Sequence, residues 1–132
     1  SLSNLSDQAI REVGVSRPKI RYLRALSASF EHGHLRGYRF DRMSDAQIIS
    51  DLVQVPGVGQ WTAEMFLIFS MHRADTFSGG DLALRNAISK LDGVPVPTPR
   101  EACARAERWQ PWRSVASLYL WQIAHWDGPL PA

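Results

Sequence analysis

Apolar residues recur three or four positions apart along most of the chain, and the strict alternation that marks strands is nearly absent. Ser6 is placed to cap a short helix over residues 7–13, which Gly14 ends. A second helix starts near Ser16 with Pro18 in its first turn, and Ile20, Leu23, Ala25, Leu26 and Phe30 form its apolar stripe. Gly33 and Gly37 mark a loop. Ser44 with Gln47 then makes a capping-box pattern ahead of Ile48, Ile49, Leu52 and Val53. A strongly apolar helix is predicted over residues 60–71, and another from Asp81 to about Leu91. After a proline-rich connector over 93–99, Thr98, Pro99 and Glu101 read as N-cap, first-turn proline and capping-box partner. Pro111 opens the last predicted helix, which carries Trp112, Val115, Leu118, Tyr119 and Trp121. The pattern predicts an all-α fold, a helical bundle forming a single domain over residues 1–132.

The length and composition agree with that reading. A chain of 132 residues suffices for one domain with a core, and 45% hydrophobic with 21% charged residues is ordinary for a globular protein. No apolar run approaches the roughly 18 residues of a membrane span, and no secretory signal is visible. The single cysteine, Cys103, excludes an internal disulfide and the cysteine quartet of an iron–sulfur cluster. His32 and His34 read as a solvated loop pair for want of a third ligand. A reduced, intracellular protein is expected.

The net charge of +2 says less than its distribution. Arg11, Arg17, Lys19, Arg21, Arg24, Arg36, Arg39 and Arg42 crowd the first third, against Glu12, Glu31 and Asp41 there. This suits a polyanion such as DNA, although charge alone also fits a solvated helix face.

The segment Val55-Pro56-Gly57-Val58-Gly59 joins two predicted helices and has a physical logic. Proline stops the first helix, and glycine allows a positive φ and close approach of another backbone. The second helix then starts with unpaired N–H groups at its positive end, which can grip a phosphate without reading sequence. A bare Gly-x-Gly is equally a tight turn. Asp81, likewise, stands where aspartate is a favoured helix cap.

The longer string from Leu52 to Ala63, with Val53, Gln54, Gln60, Trp61 and Thr62 around the hairpin, is more specific. It resembles the helix-hairpin-helix of the DNA glycosylase superfamily, and within it the 3-methyladenine DNA glycosylase II branch. The resemblance places the helix-hairpin-helix at about 44–71, a catalytic loop and helix at 75–91, and C-terminal helices at 99–126. It implies Asp81 as the catalytic carboxylate, beside the sugar of a flipped nucleotide. Ser78 departs from the family's usual proline after Phe77. The lysine nucleophile of the members that also cut the backbone is replaced by Trp61, which implies a monofunctional enzyme using water.

Trp61-Thr62-Ala63-Glu64-Met65 and the stretch from Glu107 to Ser114, followed by Tyr119-Leu120-Trp121, are similar to the same branch. The resemblance makes Trp61 and Trp121 walls of the base pocket, where an electron-rich indole face attracts a cationic alkylated purine. Trp109 and Trp112 are expected to pack. Met65 fits a pocket wall or the core equally well. Gly57, Val58, Gly59 and Thr62 are the expected DNA contacts. The resemblance further implies a monovalent cation held by the backbone carbonyls of Val53, Val55 and Val58, and no required cofactor.

The function so implied is hydrolytic excision of alkylated purines, such as 3-methyladenine, from duplex DNA in base-excision repair. The protein would be a monomer acting in a bacterial-type cytoplasm near the nucleoid. Upstream helices with a Gln-Gln motif, usual in the family, are expected to be missing from this chain. A non-catalytic DNA-binding or damage-recognition module is the alternative.

Overall fold

The computed structural model describes residues 6–12, 17, 20, 21, 23–25 and 42–130. Predictions at Val13, Gly14, Ser16, Pro18, Lys19, Leu26, Phe30, Glu31, His32, Gly33, His34, Arg36, Gly37, Arg39 and Asp41 fall outside them. The described residues form helices and loops. Helix α1 spans Asp7–Glu12, α2 Asp45–Leu52, α3 Gln60–Phe69, α4 Leu82–Asp92, α5 Pro99–Ala106 and α6 Arg113–Ala124, with a 3₁₀ turn at Glu107–Trp109. Residues 20, 21 and 23–25 are also helical.

The caps explain where these helices start. Ser44 accepts from the Gln47 N–H while the Gln47 side chain accepts from Ser44, and Thr98 and Glu101 repeat the exchange before α5. Such caps each contribute about 1 kcal/mol. Gly93, at φ 66°, closes α4 in the left-handed region, with the Gly93 and Val94 N–H groups both turning back to the Ser89 carbonyl. Lys90 does the same for α6 from a distance. Its ammonium donates to the carbonyls of Ala124 and Trp126 at 3.0 and 3.2 Å, satisfying a helix end on another element.

Two expected boundaries move. Helix α3 ends at Phe69 rather than Met71, because the Ser70 and Met71 N–H groups both bond the Phe66 carbonyl and His72 takes a left-handed φ of 54°. The last helix begins at Arg113 rather than Pro111. Residues 109–112 make a tight turn first, with the Trp112 N–H donating to the Trp109 carbonyl at 2.7 Å.

Helix α3 is buried throughout from Ala63 to Phe69 because it lies between two cores. Met65, Ile68 and Phe69 join Ile10, Ile20, Leu23, Leu84, Ala87, Ile88, Leu120 and Trp121 in the larger one. Ala63, Phe66 and Leu67 join Ile48 and Leu52 of α2 in the smaller one. Helices α4 and α6 pack closely together on the larger core. The hairpin and the start of α4 are therefore both anchored to one buried helix. None of the helices among the described residues is long and apolar enough to cross a membrane.

Candidate active site and hairpin

The hairpin follows from local sequence. Val53 caps α2, and the chain turns through Val55 to Val58, whose N–H donates to the Val55 carbonyl at 3.0 Å. Gly57 sits at φ 85°, a conformation that costs other residues about 1–2 kcal/mol. Gly59 is the N-cap of α3 and offers no side chain to the first-turn N–H groups. Gly57, Gly59 and Gln60 are exposed. Val58 packs against the smaller core and fixes the turn to the helix pair. Thr62 is half-buried in the first turn of α3.

From the same turn, Trp61 reaches across to the N-terminus of α4. Its indole Nε1 donates to Asp81 Oδ2 at 2.7 Å. Trp121, from α6, aims its Nε1 at Asp81 Oδ1 at 3.4 Å. Asp81 also caps its own helix, with Oδ1 accepting the Leu84 N–H at 3.0 Å. The capping role read from the sequence is thus present in the structure, on the same carboxylate that the two indoles approach. It is only 5% exposed, yet three N–H groups surround it.

The structure brings Asp81, Trp61 and Trp121 together but treats the aromatic residues differently. Trp61 is half-buried, whereas Trp121 is 1% exposed and stacks on Phe69 with centroids 5.8 Å apart. Met65 is wholly buried in the same core as Trp121. Trp109 packs partly against the core and carries the Arg108 guanidinium on its ring at 4.2 Å. Trp112 does not pack as expected: it is 61% exposed, because the turn before α6 leaves it at the helix cap.

Several residues that hold the site escaped sequence reasoning. Arg113 binds Asp75 with two guanidinium nitrogens, at 2.8 and 3.0 Å, and with its own backbone N–H at 3.1 Å. That pairing holds the Asp75 carboxyl below the usual carboxylate range. Ser114 accepts the Thr76 N–H at 2.8 Å and donates to the Arg73 carbonyl. Asp45 takes Arg73 at 3.1 Å and the Thr76 hydroxyl at 3.2 Å. These bonds tie the loop before Asp81 to the starts of α2 and α6. The loop also needs Gly79, since a Cβ there would lie 2.4 Å from Cys103 Sγ and 2.8 Å from the Pro99 carbonyl oxygen.

Glu64 is the other omission. It lies in the most apolar helix, 7% exposed, and accepts the buried Ser78 hydroxyl at 2.9 Å. Burial pushes its carboxyl up to about 7, with Asp81 adding to the rise and the Ser78 and Gln60 hydrogen bonds opposing it.

Comparison with known proteins gives a consistent picture. DNA-3-methyladenine glycosylase 1 of Schizosaccharomyces pombe is 32% identical over 125 residues, which are 93% of this chain and 55% of that protein. The chain spans about half the length of the curated relatives it matches. The crystal structure of a DNA-3-methyladenine glycosidase from Bacillus halodurans superposes with a TM-score of 0.63 at 36% identity, covering 94% of this chain and 58% of that one. The structure of the Schizosaccharomyces pombe 3-methyladenine DNA glycosylase in complex with abasic DNA gives 0.64 at 30% identity, covering 96% and 62%. No family model matches the chain.

Proposed function

We propose that the chain belongs to the 3-methyladenine DNA glycosylase family of the helix-hairpin-helix superfamily, and that it carries the catalytic centre of a monofunctional glycosylase removing alkylated purines from duplex DNA. The observation that carries this reading is the meeting of Trp61 and Trp121 on Asp81, beside a hairpin that offers bare N–H groups.

In this reading the hairpin grips a phosphate near the lesion, through the first-turn N–H groups of α3 that follow Gly59, with the Thr62 hydroxyl at hand. The damaged nucleotide leaves the stack, and its cationic base rests against Trp61. Breaking the bond from C1′ to the base nitrogen sends the electron pair to the base, which departs neutral. Asp81 stabilises the cationic sugar left behind and orients the water whose oxygen bonds to C1′. The water's proton passes to the carboxylate or to solvent. Trp121 and Met65, both buried in the core, support this centre from within.

Trp61 stands where a lyase amine would be required, so no Schiff-base step is available from that position. The carbonyls of Val53, Val55 and Val58 are hard oxygen donors at the hairpin and suit a monovalent cation. Such an ion, when bound, would supply positive charge toward the phosphate. DNA affinity that depends on the identity of the monovalent cation at constant ionic strength supports that site, and identical affinities remove it.

The decisive experiment is release of 3-methyladenine from methylated duplex DNA by the chain and by Asp81→Asn. Release that the Asn variant loses supports the reading. Full activity in the variant removes Asp81 from catalysis. DNA binding without release by either protein leaves a binding module.

A further inference from the structure

The helix that follows the hairpin holds a carboxyl that the proposed chemistry does not use. Glu64 lies one turn beyond Gln60, which hydrogen-bonds it, and its Oε1 takes the Ser78 hydroxyl. Ser78 is wholly buried, and its carbonyl receives the Asp81 N–H at 3.0 Å. One residue therefore grips Glu64 with its side chain and Asp81 with its backbone. The polar and titratable groups facing Glu64 are Gln60 on its own helix, Ser78 on the loop, Asp81 at the start of α4 and, more weakly, Cys103 on α5.

We propose that Glu64 is a positioning residue of the centre: through Ser78 it fixes the turn that presents Asp81, and its ionisation changes the electrostatic environment of the Asp81 carboxylate. The serine at this position thus does by hydrogen bonding what a stiffer residue would do by backbone restriction. A neutral Glu64 leaves Asp81 as the one anion of this buried group. An ionised Glu64 adds a second negative charge beside it, which favours a cationic sugar and a cationic base. Glu64 changes state near neutrality, so this device works within the ordinary range of pH.

The catalytic half of this inference rests on the glycosylase reading; the coupling of Glu64 to Asp81 does not, and the two are tested separately. The indole N–H of Trp61 touches Asp81 directly, so its ¹⁵N–¹H resonance reports on the charge there. In the free protein that resonance is expected to titrate with a midpoint near 7. Glu64→Gln abolishes the inflection, and Ser78→Ala, which removes a donor to the ionised form, moves it to higher pH. A resonance flat across that range, an inflection that survives Glu64→Gln, or an unmoved midpoint in Ser78→Ala overturns the coupling.

The same proteins are then assayed on methylated duplex DNA. Excision by the parent chain is expected to rise several-fold as pH passes through neutrality, and excision by Glu64→Gln to stay level. If the indole titrates as described but no base is released at any pH, the glycosylase reading fails and the coupling stands. Excision with a silent indole gives the reverse.

Discussion

Trp61 and Asp81, a hairpin residue and a helix cap, are joined by a 2.7 Å hydrogen bond from indole to carboxylate. The contact fixes the spacing between the part of the chain that would hold the DNA backbone and the part that would act on the sugar. A hydrogen bond to a charged group contributes about 1.5–3 kcal/mol. Trp61→Phe keeps an aromatic wall but removes the donor. Excision of 3-methyladenine under single-turnover conditions should fall by about 10- to 100-fold. Affinity for undamaged duplex should change little, and an equal loss in both would place Trp61 in binding alone.

The loop leading to Asp81 should depend on Ser114. Its hydroxyl serves the Thr76 N–H and the Arg73 carbonyl, so Ser114→Ala leaves a buried donor unpaired. The expected cost is about 1–3 kcal/mol, read as a lower urea midpoint with an unchanged slope. Asp75 adds an acid dependence to the same loop. Its carboxyl is depressed by Arg113, so its contribution is complete above the unfolded value of 3.8 and disappears as pH falls through the folded one. Arg113→Met should flatten that part of the acid-unfolding curve, followed by circular dichroism.

Glu64 has the opposite sign. Below 4.5 it is protonated whether folded or not and has no effect on stability. Between 4.5 and about 7 the unfolded chain releases the proton while the folded one keeps it, so stability falls as pH rises. The full loss, on the order of 3 kcal/mol, is present above that window. Glu64→Gln should therefore be more stable than the parent at alkaline pH and lose its advantage in acid. Thermal melts of both proteins on either side of the window check this, and parallel curves would contradict it.

Gly57 gives a separate test of the hairpin. Gly57→Ala forces a side chain into φ 85°, at a cost of about 1–2 kcal/mol. If the hairpin grips phosphate alone, the variant should weaken binding to duplexes of unrelated sequence by the same factor. Fluorescence anisotropy across several duplexes measures this, and a loss confined to one sequence would point to base reading instead.

Local rules made much of this legible in advance. Ser44 with Gln47, and Thr98 with Glu101, act within one helical turn, so their spacing is enough to find them. The hairpin glycines and the cap at Asp81 are equally local. Asp75 and Ser114 are different, since each finds its partner 38 residues away and nothing near either residue marks the pairing. Glu64 was hidden for another reason. The helical pattern assigns a charged residue to solvent, but α3 has no solvent face at that level because a core lies on each side. Trp112 misled in the other direction, because an apolar residue at a helix start has no periodicity to declare whether it packs.

The double burial of α3 also bears on how the chain can be divided. A helix shared by two cores lets neither core fold without it, so a cut between residues 44 and 121 should not yield two independent halves. The connector around Pro95 and Val96, by contrast, is exposed and outside both cores, so an insertion there should be tolerated. The hairpin proposed to grip DNA and the carboxylate proposed to act on the sugar therefore belong to one cooperative unit, and neither should survive as a separate fragment.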